Sequence, residues 1–172
     1  MSEERIAVID GGIKTKSEVH RDGDWHVAAH VWIVTSHSRV LLQRRAMEKE
    51  NWPGYWDVSA AGHVSAIEAA IRETFEELGL TITAEELEKI GELREQCVLR
   101  GGTYIDNEVH EVFLVRRDVD LAALVLQKEE VDEVRLVTLD ELANVSPLVP
   151  HEEEYALLRA SCGGTGAPPV QS

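Results

Sequence analysis

The sequence predicts a single α/β domain built on a mixed β-sheet with helices packed against it. Short apolar runs typical of strands alternate, at uneven spacing, with segments in which apolar residues recur every three or four positions, as in helices. A length of 172 residues suits one domain and allows about two thirds of the unfolded surface to be buried. We expect this domain to span residues 1–161. Residues 162–172, rich in Gly and Pro, have little to bury and are expected to be disordered.

Strands are expected where apolar and β-branched residues lie between turn residues, at 26–34, 40–42, 90–99, 109–115 and 133–137. Residues 6–13 predict a short hairpin that turns at Asp10-Gly11-Gly12. Residues 20–24 predict a polar loop, and Gly101-Gly102 predicts the turn of a second hairpin. Short helices are expected after the last strand, at 139–143 and 152–160.

The composition limits the partners and the location of the protein. A net charge of −15 argues against nucleic acid as a partner, because binding a phosphate backbone requires a basic surface. A small anionic substrate is compatible with this charge if a metal ion bridges the repulsion. Cys97 and Cys162 lack the spacing of a metal site or a disulfide framework, which favours a reducing compartment. The chain starts without an apolar run and contains no segment as long as a membrane span, so we expect a cytoplasmic protein that does not bind membranes.

Residues 72–80 place three carboxylates within one turn of an expected helix, which Gly79 ends. At about 100° per residue, Glu73 and Glu77 lie one turn apart with Glu76 beside them. The other side of the helix is expected to pack against the core through its apolar residues, Ile67, Ile71, Phe75 and Leu78. Like charges this close weaken a helix, so the pattern favours a divalent cation that neutralises them. The alternative is a solvated acidic face, which is common in an acidic chain.

The order Arg-Glu-Thr-Phe-Glu-Glu-Leu-Gly-Leu in residues 72–80 resembles the second half of the Nudix box. Only Thr74 departs from it, standing where that family usually has an aliphatic residue. Gly62-His63-Val64 resembles the start of the same box. The resemblance implies an α/β/α sandwich that hydrolyses a nucleoside diphosphate linked to another moiety, with Mg²⁺ as cofactor and Mn²⁺ as an alternative. It also implies roles for particular side chains: Glu73, Glu76 and Glu77 as catalytic metal ligands, and Arg72 as a structural residue paired with Glu68 or Glu76.

The connection between the two halves of this motif is shorter than in the family pattern. The pattern places fourteen positions between its first glycine and its arginine, whereas Gly62 and Arg72 are ten apart, so about four residues are missing. Either the loop is truly shorter or a segment is absent from the sequence. Ser65-Ala66-Ile67-Glu68 predicts a capping box with Ser65 at the N-cap, so a helix can still begin there.

A second set of residues resembles the metal site of type I isopentenyl-diphosphate isomerases, which share the Nudix fold. That resemblance implies a site for Mn²⁺, Zn²⁺ or Mg²⁺ made of imidazole nitrogens and carboxylate oxygens, from His20, His26, His63, Asp106 and Glu108. Two features depart from the family: Asp106 replaces a longer glutamate, and the His20 to His26 spacing is one residue short. The isomerase also needs a cysteine just before its Gly-His pair, where this chain has Ala61. Cys97 does not match that position, so the isomerase reaction is not expected.

Three further residues are candidates for binding the substrate. Arg44 and Arg45 end an expected strand. If this strand borders the substrate cleft, as we expect, the two arginines could clamp a diphosphate. Trp56 could stack on a base or cover an apolar group, and Trp52 nearby could do the same. The alternatives are ordinary surface charge for the arginines and packing of the loop onto the core for the tryptophans.

The sequence therefore predicts a metal-dependent hydrolase that acts on a small-molecule diphosphate. Its proton acceptor is left open among four glutamates, Glu76, Glu108, Glu111 and Glu130. Two alternatives remain: an isomerase-like protein, and a diphosphate-binding module whose helix the short loop has misaligned. A homodimer is also open, because dimers are frequent in folds of this kind.

Overall fold

The computed structural model describes residues 3–63 and 66–163. Nine strands and four α-helices follow one another along these residues. They are β1 (Arg5–Ala7), β2 (Ile13–Thr15), α1 (Lys16–Asp22), β3 (Trp25–Val34), β4 (Arg39–Arg45), β5 (Trp56–Asp57), β6 (Ala60–Gly62), α2 (Ala66–Leu78), β7 (Glu88–Leu99), β8 (Tyr104–Arg116), β9 (Val131–Thr138), α3 (Leu139–Leu142) and α4 (Glu152–Cys162).

The main sheet is mixed, as predicted. Its strands run in the order β5-β4-β3-β8-β7, with β6 added to β3 and β9 added to β4. The long central strands β3 and β8 are parallel, whereas the other pairs in this sheet are antiparallel. A separate hairpin of β1 and β2 turns through residues 8–12, which confirms the first predicted hairpin.

Helices cover both faces of the sheet, because the residues of β3 alternate between two apolar layers. Ala29, Val31 and Ile33 face the layer that contains Leu78 of α2. Trp32 and Val34 face the opposite layer, which contains Leu142 of α3 and Leu158 of α4. The α/β/α sandwich expected from the family resemblance is therefore confirmed. Among the described residues, no helix has the length and apolar character needed to cross a membrane.

The expected polar loop at residues 20–24 was wrong, because most of it belongs to α1. Thr15 caps this helix: its hydroxyl accepts from the backbone N–H of Glu18, and the Glu18 carboxylate accepts from the backbone N–H of Thr15. Gly23, with φ of +71°, ends the helix in the left-handed conformation. The helix buries His20, which is 1% exposed.

The packing face of α2 differs from the prediction. Ile67 is 45% exposed and Phe75 is 57% exposed, whereas Thr74 and Glu77 are buried together with Leu78. The Thr74 hydroxyl donates to the carbonyl of Ala70 within the helix, so its polar group needs no partner from the sheet. Glu77, which the sequence predicted on the metal-binding face opposite the core residues, therefore lies against the sheet.

Two expectations fall wholly or partly outside the described residues. The capping box at Ser65 lies outside them, as do residues 164–172 of the expected tail. Cys162, the first residue of that tail, is still part of α4.

Candidate active site

A cleft of about 930 Å³ opens at one end of the sheet and brings the two predicted metal-binding sets together. Residues of both sets line it: all three α2 glutamates, and four of the five residues of the predicted histidine and carboxylate set. The lining residues from these two sets are Glu73, Glu76, Glu77, His20, His63, Asp106 and Glu108. Such concave, polar surroundings suit an anionic ligand held through cations.

Glu77 is the most buried of the three α2 glutamates, at 7% exposure. Its Oε2 accepts hydrogen bonds from the Gln43 side chain at 2.8 Å and from the backbone N–H of Ala61 at 3.3 Å. Burial raises the pKa of this carboxyl to about 8, against the lowering effect of the Gln43 hydrogen bond. In the described part of the chain, no cationic side chain pairs with the Glu77 carboxylate.

Glu73 lies directly against the strand β6. A Cβ added to Gly62 would come within 2.2 Å of Glu73 Cγ, so only glycine fits this approach. Burial also raises the pKa of Glu73. Arg72 donates to Glu73 at 2.9 Å and approaches Glu76 at 3.9 Å, so it pairs with one of its two expected partners.

The three α2 carboxylates have the donor chemistry of a Mg²⁺ site, because hard cations prefer oxygen ligands. The carboxylate oxygens of Glu73, Glu76 and Glu77 do not form a close set with one another. In the described part of the chain, four sets of three side chains bring ligand atoms within 4.8 Å of one another, and none of these sets includes an α2 glutamate.

The predicted histidine and carboxylate residues do converge. His20, His26 and His63 form one of the close sets, and His26 forms another with Asp106 and Glu108. The imidazole nitrogens lie near carboxylate oxygens: His20 Nε2 is 3.2 Å from Asp106, and His63 Nε2 is 3.0 Å from Glu108. His26 Nε2 lies 3.5 Å from Glu108 but has no hydrogen-bond partner among the described residues, although the side chain is fully buried. A buried nitrogen without a partner, facing carboxylates, suits a bound cation.

Charges within this set stabilise one another. Burial opposes ionisation of Glu108, but hydrogen bonds from His110 and His63, together with the nearby imidazole of His26, hold its pKa well below the usual range. Burial likewise lowers the pKa of His63, yet its hydrogen bonds to Glu108 and Glu4 raise it to about 9. Protons on His63 and His110, whose pKa values are raised to about 9 and about 10, therefore supply positive charge next to Glu108.

Of the three predicted substrate-binding residues, only Arg45 lines the cleft. Its guanidinium pairs with Asp57 at 3.1 Å and donates to the carbonyl of Asn51. Arg44 instead pairs with Asp132 at 2.6 Å on the neighbouring strand β9. Trp56 is 6% exposed in the apolar layer beneath α4, so the packing alternative describes it. Neither Arg44 nor Trp56 is among the residues that line the cleft, whereas Trp52 does line it.

The four glutamates that could accept the proton differ in their position relative to the cleft. Glu76, Glu108 and Glu130 line the cleft, whereas Glu111 lies on the opposite face of β8 and approaches Lys89 at 3.8 Å. Glu130 is engaged in an ion pair with Lys49. Cys97, remote in sequence from the Gly-His pair, lines a smaller cavity of about 40 Å³ together with Asp106 and Glu108.

Sequence reasoning missed a second cluster of buried ionisable residues next to this site. It contains two residues from the central strands, His30 and His110, and three from other elements, Glu95, His151 and Glu154. The signal was present as a spacing of two: His110 follows Glu108 and Asp106 on the same face of β8. His30 lies on the corresponding face of β3, four residues after His26.

Comparisons with known proteins identify the family and relatives of this chain. The model of the NUDIX domain family matches residues 24–158. Nudix hydrolase 3 from Arabidopsis thaliana is 42% identical over 157 residues; the match covers 84% of this chain, which spans only 20% of that protein. An isopentenyl-diphosphate Delta-isomerase from Clavibacter sepedonicus is 33% identical over 145 residues, covering 81% of this chain and 72% of that protein.

A solved structure shares the fold at lower sequence identity. The MutT protein from Methanosarcina mazei Go1 superimposes with a TM-score of 0.64 at 20% identity, over 83% of this chain and 96% of that one. Since the family model covers well over half of the chain, the chain belongs to the Nudix family.

Proposed function

We propose that this protein is a divalent-metal-dependent hydrolase that cleaves a diphosphate linkage, in a nucleoside diphosphate derivative or a related organic diphosphate. The proposal rests on one observation above all. The backbone of β6 at Ala61 and Gly62 lies in direct contact with Glu77 and Glu73, so both halves of the Nudix motif meet in the cleft. The names of the relatives, which include Nudix hydrolases, support the same class of reaction.

Glu73, Glu76 and Glu77 are the residues that would hold Mg²⁺ or Mn²⁺. The donor set fits, because all three are carboxylates and Glu77 is buried with no cationic partner among residues 3–63 and 66–163. When bound, such an ion neutralises phosphate oxygens and lowers the pKa of a water molecule. Arg72 holds Glu73 and Glu76 in place, and Gln43 and Ala61 fix the orientation of Glu77.

The reaction itself requires a water oxygen to bond to phosphorus while the bridging oxygen leaves with the electron pair of the broken bond. The side chains supply binding and proton transfer. Arg45 reaches the cleft from β4 and can contact a phosphate, although it is shared with Asp57. Glu76, half-exposed and lightly held by Arg72, and Glu130 are both placed to accept the proton of water.

The test is phosphate or pyrophosphate release from a panel of nucleoside diphosphate derivatives and isopentenyl diphosphate, with Mg²⁺ or Mn²⁺. The parent protein is compared with Glu77→Gln and with Glu68→Gln, a control that removes one exposed charge from the same helix. We expect release that needs the metal, is lost in Glu77→Gln and persists in Glu68→Gln. Equal rates in Glu77→Gln and the parent would overturn the assignment, and no turnover across the panel would favour the binding-module alternative.

A second candidate, isomerisation of an isopentenyl-type diphosphate, is favoured by the convergence of the histidine and carboxylate set. The family's cysteine position holds Ala61, which cannot transfer a proton. Cys97 offers a thiol beside Asp106 and Glu108, and burial raises its pKa. If this candidate holds, isopentenyl diphosphate is isomerised without phosphate release and Cys97→Ser abolishes the reaction.

A further inference from the structure

We propose that His30, His110 and Glu154 form a second metal site, selective for a divalent first-row transition ion, beneath the floor of the cleft. The site is distinct from the α2 glutamates and from the set around His26. It takes one ligand from each of three elements: His30 from β3, His110 from β8 and Glu154 from α4. All three side chains are buried, at 5%, 1% and 1% exposure.

The distances among the ligand atoms suit one ion. His30 Nδ1 lies 2.9 Å from Glu154 Oε2, and His110 Nδ1 lies 3.4 Å from the same oxygen. Nitrogen and oxygen ligands bound to one ion at about 2.0–2.2 Å are separated by about 3.0–3.5 Å. Two of the three separations therefore match those in a coordination sphere, and the nitrogens of the third pair, His30 and His110, lie within 4.8 Å of each other with their rings stacked at 4.0 Å.

His110 carries the strongest indication. Its Nε2 donates to Glu108 at 2.7 Å, which directs the other nitrogen, Nδ1, into the cluster. That Nδ1 has no hydrogen-bond partner among the described residues, although carboxylate oxygens of Glu154 and Glu95 lie 3.4 Å and 3.3 Å away. A buried nitrogen facing two carboxylates without a hydrogen bond to either is in the position of a metal ligand.

Hydrogen bonds from surrounding residues orient the ligand side chains, as in known metal sites. Trp32 donates to Glu154 Oε1 at 2.8 Å, which leaves Oε2 directed at the two histidines. His151 and Glu95 form an overlapping close set with His110, so they can complete the coordination. His30 and His151 also line the cleft, which gives an ion access from solvent.

The chemical types of the three ligands limit the kind of metal ion that the site can hold. Two imidazoles and one carboxylate favour Zn²⁺, Mn²⁺ or Fe²⁺ over Mg²⁺, which prefers oxygen ligands only. The competing explanation is a buried network of ion pairs, in which each histidine carries a proton and neutralises a carboxylate. That network would affect stability but not the number of metal ions bound.

The test counts Zn²⁺ ions bound by the intact chain after chelator treatment, in millimolar Mg²⁺ to occupy oxygen-only sites. Glu154→Gln and His30→Gln remove ligands from two different elements. His37→Gln, on an exposed turn, is the matched control. We expect each ligand variant to weaken one tight Zn²⁺ site by more than about 100-fold and the control to bind as the parent does. An unchanged number of tight sites in both ligand variants would overturn the proposal.

A second measurement keeps the test decisive if these variants fail to fold. His20→Gln impairs the set around His26 and leaves the second cluster intact. Co²⁺ added to this variant should then give the visible absorption of an ion held by imidazole nitrogens, and its absence would count against the site. Both readouts measure bound metal and not turnover. A negative result therefore leaves the proposed hydrolase activity intact, and a protein without hydrolase activity can still bind metal at this site.

Discussion

Replacing Glu77 by Gln should change how stability depends on pH, in a direction that the structure determines. Burial raises the pKa of Glu77 to about 8 from the ordinary value of 4.5, so the folded protein binds this proton more tightly than the unfolded chain does. Glu77 therefore contributes its full stability below about pH 4.5, and this stability is lost as the pH rises towards 8. Gln carries no ionisable proton, so the variant should lack this part of the pH dependence.

The size of the effect follows from the same values. At about 1.4 kcal/mol per pH unit, the interval from 4.5 to about 8 corresponds to at most about 5 kcal/mol. The interval from pH 5 to pH 8 covers most of this range, so we expect a difference of a few kcal/mol between these two pH values. The 7% exposure of Glu77 means that screening by bulk solvent removes little of it.

Urea denaturation at several pH values between 5 and 8, in the presence of a chelator, measures this difference. His63 and His110, whose pKa values are raised to about 9 and about 10, lose their own stabilisation at higher pH in parent and variant alike. The difference between the two proteins therefore isolates Glu77. Glu68→Gln, an exposed change on the same helix, should follow the parent.

Mg²⁺ provides the second half of the experiment. If Glu77 binds the ion, added Mg²⁺ should restore the stability of the parent at pH 8 and leave Glu77→Gln unchanged, because a ligand stabilises only the state that binds it. Parallel stability curves for parent and variant across the pH range would refute the burial argument. Equal stabilisation of both by Mg²⁺ would refute the role of Glu77 as a ligand.

Four further substitutions, in three experiments, test other parts of the site. Gly62→Ala places a Cβ 2.2 Å from Glu73 Cγ, so we expect activity to fall at least about 10-fold through displacement of Glu73, with a lower melting temperature. Arg45→Ala should raise KM, whereas Arg44→Ala should leave KM unchanged, because only Arg45 lines the cleft; the reverse pattern would contradict the assignment. Trp56→Phe should lower the free energy of unfolding by about 1–3 kcal/mol without affecting KM, since Trp56 is buried in the core; unchanged stability with a raised KM would restore the predicted contact with substrate.

The sequence was sufficient for the fold class because its signals were local. The apolar run of β3 and the Gly101-Gly102 turn between β7 and β8 were both readable from residue types and spacing. The rotation of α2 was not. Pattern alone assigned Phe75 to the core and Glu77 to the opposite, metal-binding face, but the sheet offers Glu77 hydrogen bonds from Gln43 and Ala61 that only the assembled fold brings together.

The candidate site was predictable only where its residues lie in recognisable local motifs. The set around His26 was found through a family resemblance, and the structure brings its members together. Arg44 and Arg45 could not be separated from sequence, because neighbours on a strand point to opposite faces and only the assembled fold shows which of the two lines the cleft. The cluster around His110 was missed because its partners come from β7 and α4, far away in the chain.

The short connection before α2 bears most directly on whether this site can hydrolyse a substrate. A loop about four residues shorter than the family pattern would impair catalysis if it moved the helix, since a displacement of about 1 Å can cost about 10²-fold in rate. Ala61 nevertheless donates to Glu77, and Gly62 lies so close to Glu73 that no methyl group fits. These contacts argue against a misaligned helix and favour a hydrolase over a binding module. Residues 64 and 65, which complete the connection, lie outside the described part of the chain.

The length of that connection can be measured directly by the intact mass of protein isolated from its natural host. The 172-residue chain has a mass of 19.2 kDa. Agreement with the mass calculated for the sequence would mean that a loop of this length makes both contacts, and the hydrolase assay then tests a naturally shortened Nudix motif. An excess that corresponds to about four residues, traced to the peptide that spans Gly62 and Arg72, would restore the spacing of the family. In that case the misalignment argument would lose its premise, and an inactive protein would need another explanation.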